Sequence, residues 1–396
     1  MKKRFSAESN DSALDSVQGQ DNASRRLRIV IDARNRRSST GRYTDRLVEN
    51  LQDLDKENEY IILVEPNDHW KFRSRNFVNK KCRYKQFSFN PLDQIGFALQ
   101  LYRLRPNLVH FTMTQQPVLY FGKIITTTHD LTMLRHTRPS RFPGWLHRIG
   151  MSLYRFLFWW SHVKSNKIIV PSKFVADDLA KHQPSTAKKI EVIYEAADPP
   201  LKVKPESIKR VKKPFIFHVG APYPHKNIHR LIEAFDVVKE KHPELQLVLP
   251  GRMKDQFKKD FDSWVKKSEE KKSIIAPGFV SDAELKWLYE NAEAYVLPSL
   301  SEGFGLPGLE AMAHDCPLIS SDGTCLPEIY GEAAQYFHPR DIFDMANAID
   351  KVISSKKRQS QLVKKGQKQL SKYSWSKMAK ETLAVYNSAY AKEKSY

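Results

Sequence analysis

The stretch Pro298-Ser-Leu-Ser-Glu302-Gly-Phe-Gly-Leu-Pro-Gly-Leu-Glu310-Ala-Met-Ala313 sets two carboxylates across a loop-to-helix junction, with seven residues between them. Residues 295–297, Tyr-Val-Leu, read as a buried strand that Pro298 ends. Gly303 and Gly305 permit close backbone approach, and Pro307 suits the first helical position. Leu306, Leu309 and Met312 give the helix that follows an apolar face. A glycine-rich turn feeding a helix N-terminus offers free N–H groups to an anion, so the pattern points to phosphate. Glu310 then falls in the first helical turns, placed for ribose hydroxyls, while Glu302 faces whatever the phosphate carries. A plain helix cap needs neither two glycines nor two spaced carboxylates.

On both sides of this stretch, short apolar runs alternate with helical patterns. Residues 27–31, 60–64, 108–111, 123–127 and 167–170 are candidate strands, with helices near 42–53, 92–104, 142–163 and 173–182. A second series holds strands at 215–219, 245–249, 273–276, 294–297 and 317–320. Its helices lie near 227–241, 254–270, 282–291, 307–314, 341–354 and 356–371. Such alternation predicts parallel sheets with helices on both faces. Residues 199–213, rich in Pro and Lys with poor periodicity, read as a linker between residues 25–198 and 214–374. Two doubly wound domains joined by one hinge place a cleft where the carboxyl ends of both sheets meet. Residues 1–24 are polar, with little to bury, and are expected to be a disordered tail.

Composition narrows the class. A chain of 396 residues, 41% of them hydrophobic, suits two domains with proper cores. Cys82, Cys316 and Cys325 make an odd count without a Cys-x-x-Cys pair, so buried thiols in a reducing, cytoplasmic compartment are expected, and no zinc site. The net charge of +20 carries no nucleic-acid signature with it, which disfavours a nucleic-acid partner. An anionic membrane surface, met peripherally from the inner face, stays open because residues 141–160 are aromatic and basic. That segment reads either as an interfacial helix or, by preference, as a core helix of the first domain. Arg148 and Arg155 interrupt it too early for a bilayer span.

The Glu-x7-Glu segment resembles the signature of retaining glycosyltransferases of family 4. Other stretches resemble that family in the expected order: Ser39-Thr-Gly41-Arg-Tyr-Thr, Thr128-His129-Asp130-Leu, Val170-Pro-Ser-Lys-Phe, His218 through Lys226-Asn, and Gly323-Thr-Cys-Leu-Pro-Glu328. The likeness covers roughly residues 27–390 and is strongest to the mannosyltransferase-like branch. It implies the α/β GT-B fold, two Rossmann-like domains facing across a cleft. It also implies a C-terminal helix, 375–396, that crosses back to the first domain. The implied reaction moves a hexose, mannose favoured, from a nucleotide-diphosphate sugar to a glycan, lipid-linked or polyol acceptor. GDP-mannose is favoured over a UDP-sugar as donor.

The resemblance assigns roles residue by residue. His129, Lys226 and Glu302 are the catalytic candidates. Gly41, His225, Phe279, Val280, Phe304, Gly305, Leu306 and Glu310 are expected on the donor, and Arg42 and Asp130 on the acceptor side. No Asp-x-Asp motif stands out, so Lys226 and the backbone at Gly305 and Leu306 are expected to hold the diphosphate without metal or other cofactor. The sequence departs from many relatives by placing His225 where they carry arginine, and Ala221 where some do. That thins the positive charge on the diphosphate or gives His225 a pH-dependent share. The pair His225 and His229 lacks the glutamate and third ligand of a metal site. A dehydrogenase is disfavoured because no Gly-x-Gly-x-x-Gly follows residues 27–31. The alternatives are a GT-B epimerase and a silent relative that binds nucleotide sugar or a membrane surface without turnover.

Overall fold

The computed structural model describes residues 26–38, 40–85, 88–136, 143–253 and 255–391. The expected N-terminal tail, Ser39 of the first turn and residues 392–396 lie outside the described residues.

The first domain contains strands β1 (Arg28–Asp32), β2 (Glu59–Val64), β3 (Phe77–Lys81), β4 (Leu108–Phe111), β5 (Ile124–Thr127), β6 (Lys167–Val170) and β7 (Ile190–Val192). They form one sheet in the order β3-β2-β1-β4-β5-β6-β7, every pairing parallel. Helices α1 (Gly41–Leu54), α2 (Pro91–Leu104), α3 (Thr132–Arg135), α4 (Gly144–Lys164) and α5 (Lys173–His182) make the crossovers. Both faces of the central strands are buried: Ile29 and Ile31 pack toward α1, while Val30 packs toward α2 with Phe97 and Leu101. Such two-sided burial is what the unbroken apolar runs of the sequence require.

The second domain repeats the plan with β8 (Phe215–Phe217), β9 (Gln246–Pro250), β10 (Ile274–Gly278), β11 (Ala294–Leu297), β12 (Leu318–Ser321) and β13 (Ala334–Phe337). Its order is β10-β9-β8-β11-β12-β13, again parallel. The helices are α6 (Ile228–Lys239), α7 (Asp255–Lys267), α8 (Asp282–Asn291), α9 (Leu306–Ala313), α10 (Leu326–Tyr330), α11 (Ile342–Ile353) and α12 (Lys356–Leu370). A last helix, α13 (Trp375–Ala391), packs on the first domain, where Met378 and Tyr386 join the cluster of β1 and α1. The Tyr386 hydroxyl sits 2.6 Å from His110 Nδ1, under the first sheet's centre.

Three strands join those expected from the sequence. Strand β3 has the segment Phe-Val-Asn-Lys-Lys with one buried residue at the sheet edge, so it carries no apolar pattern. Strand β7, Ile-Glu-Val, is only half-buried at the opposite edge, and β13 closes the second sheet. The larger departure is α4. Of the residues in its 21-residue span, only Phe158, Ser161 and His162 are buried. It is not the core helix that the sequence favoured, since most of its large apolar side chains face outward. No helix among the described residues is long and apolar enough to cross a membrane.

Candidate active site

In both sheets the strand order reverses beside the first strand, between β1 and β4 and between β8 and β11. Chains leave such neighbouring strands in opposite directions and open a crevice at their carboxyl ends. Because β8 pairs with β11, the loop carrying Lys226 lies against the loop carrying Glu302, though 76 positions separate them.

Lys226 ends a short helical turn after β8, and Asn227 follows in the left-handed region at φ 58°. Asn227 is fully buried and donates to the carbonyls of Pro298 and Pro339 at 3.0 and 2.6 Å. That amide ties the start of α6 to the end of β11 and fixes where the lysine points. Lys226 Nζ stands 2.6 Å from Glu302 Oε1, and the Ser299 hydroxyl donates to the same oxygen at 2.6 Å. Burial pushes the Glu302 carboxyl up, but Lys226, Ser299 and the nearby His225 outweigh it and hold the group below its usual range. Glu302 is therefore an anion in a shielded site, held chiefly by the Lys226 ammonium.

Helix α9 begins one residue after Gly305, which has φ 86° and is locked by Tyr330, whose hydroxyl donates to the Gly305 carbonyl. A side chain at Gly305 would strike Leu326 and Tyr330, so only glycine fits this cap. Of the first three positions of α9, Pro307 has no N–H and the Gly308 amide donates to the Gly305 carbonyl at 3.2 Å, which leaves the Leu306 amide, four residues past Glu302, to meet an anion. Glu310 lies on the same helix, where Tyr289 donates to its Oε2 at 3.3 Å. Its other oxygen receives Arg42 from α1, so an ion pair crosses between the domains. Arg42, expected on the acceptor side, here reaches the carboxylate expected to bind ribose.

On the facing domain, His129 follows β5. Its Nδ1 lies 3.1 Å from Glu195 Oε1 and its Nε2 3.1 Å from the Thr112 carbonyl. Both ring nitrogens face oxygen acceptors, which only the doubly protonated ring satisfies. Burial opposes that charge, yet the hydrogen bond and charge of Glu195, with the Thr112 carbonyl, raise the His129 pKa above its ordinary value. Asp130 is exposed, and its carboxylate accepts from the Thr132 amide at 2.8 Å. Gly41 starts α1 so close to the Arg36 carbonyl that a side chain would collide with it.

The two loop sets interlock. Gly303 abuts the His129 carbonyl so closely that a Cβ there would collide. Ser172 donates to the Gly303 carbonyl at 2.7 Å, and the hydroxyls of Thr132 and Ser301 meet at 3.0 Å. Glu328 of α10 accepts the amides of Lys173 and Phe174 at 2.8 and 3.0 Å, and the Tyr194 hydroxyl at 2.9 Å. A carboxylate of one domain thus caps the first turn of α5 in the other, where free N–H groups favour negative charge.

Other sequence candidates are less concentrated. His225 stacks on Tyr223 at 5.7 Å between centroids and gives its carbonyl to the Leu300 amide. Phe304 is buried, with its ring against Tyr194 and Tyr373. Leu306 packs against the cores of both domains. Val280 is nearly buried, whereas Phe279 is 66% exposed under the guanidinium of Arg252, 4.4 Å from its ring centre. Among the described residues no three His, Cys, Asp or Glu side chains gather as a metal site.

Residues 202–369 match the family described as Glycosyl transferases group 1, and residues 40–200 match Glycosyltransferase Family 4. The O-antigen chain mannosyltransferase RfbU of Salmonella typhimurium is 31% identical over 63% of this chain and 72% of its own. This chain is a group 1 glycosyltransferase. It falls in the mannosyltransferase-like branch, for the O-antigen chain mannosyltransferase B of Escherichia coli is also 30% identical, over 43% of this chain and 45% of its own. The MMP alpha-(1->4)-mannosyltransferase of Mycolicibacterium hassiacum is 26% identical, over 69% of this chain and 66% of its own. Among solved structures, sucrose-phosphate synthase from Thermosynechococcus elongatus superposes with a TM-score of 0.74 at 17% identity, covering 92% of this chain and all of that one. WaaG, a glycosyltransferase of lipopolysaccharide biosynthesis, gives 0.67 at 11% identity, covering 90% of this chain and 99% of its own. The fold is GT-B.

Sequence reasoning passed over four residues around the candidate site: Glu195, Ser299, Asn227 as an anchor, and Arg252. Glu195 follows β7, and without that strand its position carried no meaning. Arg252 could have been found as the arginine after Gly251, where β9 ends.

Proposed function

We propose that this glycosyltransferase moves mannose from GDP-mannose to a glycan or lipid-linked acceptor, with retention of anomeric configuration and without a metal ion. The observation that carries the proposal is the Lys226–Glu302 pair beside the start of α9, with Glu310 farther along the same helix. Diphosphate oxygens would lie against the backbone at Gly305 and Leu306 and take the Lys226 ammonium from Glu302, and ribose hydroxyls would take Glu310 from Arg42. The backbone at Phe279 and Val280 would receive the base.

In the proposed step the bond from the anomeric carbon to the β-phosphate oxygen breaks while the acceptor oxygen bonds to the same face of that carbon. The acceptor proton passes to the departing phosphate oxygen, giving GDP and a mannoside. Lys226 would stabilise the charge on the leaving group, Glu302 would bind sugar hydroxyls and favour positive charge at the anomeric carbon, and the His129 imidazolium would hold the acceptor side. No enzyme nucleophile is required. Mannose as the sugar is supported by the names of the relatives. The Anabaena HepE structure, 13% identical, holds UDP and glucose, so UDP-sugars belong in the same screen. The proposed compartment is the reducing one that holds nucleotide sugars, with which the three buried free thiols are compatible.

The test is a donor screen followed by proton NMR of the product. GDP release with an α-mannosyl product supports the reading. A β-linked product removes retention, and failure to consume any nucleotide sugar favours the silent relative.

A further inference from the structure

Helix α4 faces the wrong way for a helix of soluble surroundings. Its buried residues, Phe158, Ser161 and His162, share one side, and His162 Nε2 pairs with the Thr128 hydroxyl at 2.7 Å, next to His129. On the opposite side Trp145, Ile149, Phe156 and Trp159 recur at helical spacing and are all exposed, the first two at 58%. Over a 21-residue helix of about 30 Å this makes an apolar, largely aromatic face, interrupted by Ser152.

The face extends beyond α4. Helix α2 turns Leu92, Ile95, Leu99 and Tyr102 outward, with Leu92 75% exposed. Between the two helices the loop after β4 presents Leu119 and Phe121. Tyr102 donates to the Leu119 carbonyl and accepts the Phe121 amide. From the other side Trp160 donates to the Val118 carbonyl, and Lys164 to those of Pro117 and Tyr120. The apolar residues of α2, the loop and α4 therefore form one pinned surface.

Charge decides what covers it. Helix α4 contains no Asp or Glu, and exposed Arg148 and Arg155 border its apolar face on one flank. A second copy laid on this face would set arginine flank against arginine flank, and the one acid of α2, Asp93, already accepts from the Ser88 hydroxyl, inside a molecule at +20. An anionic lipid surface supplies both an apolar layer for the rings and phosphates for the arginines. We propose that α2, the 117–121 loop and α4 form a docking face for an anionic bilayer. The α4 rings enter the interface and Arg148 and Arg155 rest at the headgroups. Because α4 is anchored at Thr128, docking holds the His129 side of the cleft near the membrane. Docking is independent of which sugar is transferred.

The experiment is flotation of the full chain with vesicles of phosphatidylcholine alone or mixed equally with phosphatidylglycerol, at low and moderate salt, with tryptophan emission recorded in parallel. The wild-type chain should float with the anionic vesicles, shift its emission to the blue, and be released by salt. R148E/R155E should lower the partition coefficient by at least about twenty-fivefold, each arginine at the headgroups being worth about fivefold. I149E/F156E should abolish the blue shift while circular dichroism and thermal unfolding stay as in the wild type. Equal binding to both vesicle types, no binding to either, or unchanged binding by both variants overturns the proposal. So does light scattering that shows a dimer which I149E/F156E converts to a monomer, since a second copy is then the occupant.

Discussion

Lys226→Ala should damage stability and turnover together, for separable reasons. The lysine is the ammonium paired with Glu302, and their side chains are only 19% and 13% exposed. Removing one partner of a fully buried pair costs about 3–5 kcal/mol, and the residual exposure and the Ser299 hydrogen bond reduce that here to about 2–3 kcal/mol. The loss must depend on pH. In the wild type Glu302 is held below its unfolded value, so its contribution is present above the unfolded pKa and fades as pH falls through the lower folded one. Without Lys226 the burial cost loses its main opponent, the folded pKa rises, and the sign reverses: the variant gains relative stability as pH falls through that raised value. Urea unfolding at pH 5 and pH 8 should therefore show a smaller deficit at pH 5. Turnover should drop about 10²–10³-fold, the cost of one lost electrostatic stabiliser. K226M/E302Q separates the effects, because removing both charges should recover most of the stability and none of the turnover. A Lys226→Ala enzyme with wild-type stability at both pH values and near-normal turnover would mean that Lys226 neither holds Glu302 nor stabilises the leaving group.

Glu310→Ala should weaken GDP binding by about ten- to hundredfold, the loss of two ribose hydrogen bonds at about 1.5–3 kcal/mol, measured by calorimetry; unchanged affinity in a folded variant removes the ribose role. Activity should survive EDTA, and complete loss restored by magnesium or manganese would replace Lys226 with a metal as the diphosphate partner. Gly303→Ala should cost about 1–3 kcal/mol of stability, because its Cβ meets the His129 carbonyl across the domain contact; an unchanged midpoint in thermal unfolding would show that the loops part without cost. Glu195→Gln should remove the support that raises the His129 pKa. That support is fully present below the unfolded value near 6.5 and lost as pH rises through the folded one, so the stability gap between wild type and variant should be widest on the acid side. A gap that widens toward alkaline pH would mean the ring is neutral.

The apolar runs made the central strands legible, since a strand buried on both faces needs an unbroken hydrophobic segment. Edge strands escape that rule, and β3 and β7 escaped with it. The cost fell on the site, because Glu195 owes its place against His129 to β7. The Glu-x7-Glu segment and Lys226 were legible as chemistry, but their 2.6 Å contact comes from the pairing of β8 with β11, which sequence spacing does not encode. The same holds across the cleft: Arg42 reaches Glu310, and Glu328 caps α5, only because of how the two domains meet. Helix α4 misled for a different reason. A run rich in Trp, Phe and Leu has the same composition whether it fills a core or faces out, and only the packing of Phe158 and His162 shows which side is inward.

The most direct measurement is a crystal structure of the enzyme with GDP-mannose bound. The ribose hydroxyls should lie on Glu310 with Arg42 displaced, the diphosphate on Lys226 and the backbone at Gly305 and Leu306, and the mannose between Glu302 and His129. A nucleotide bound away from Glu310, or a diphosphate that leaves the Lys226–Glu302 pair closed, would contradict this arrangement.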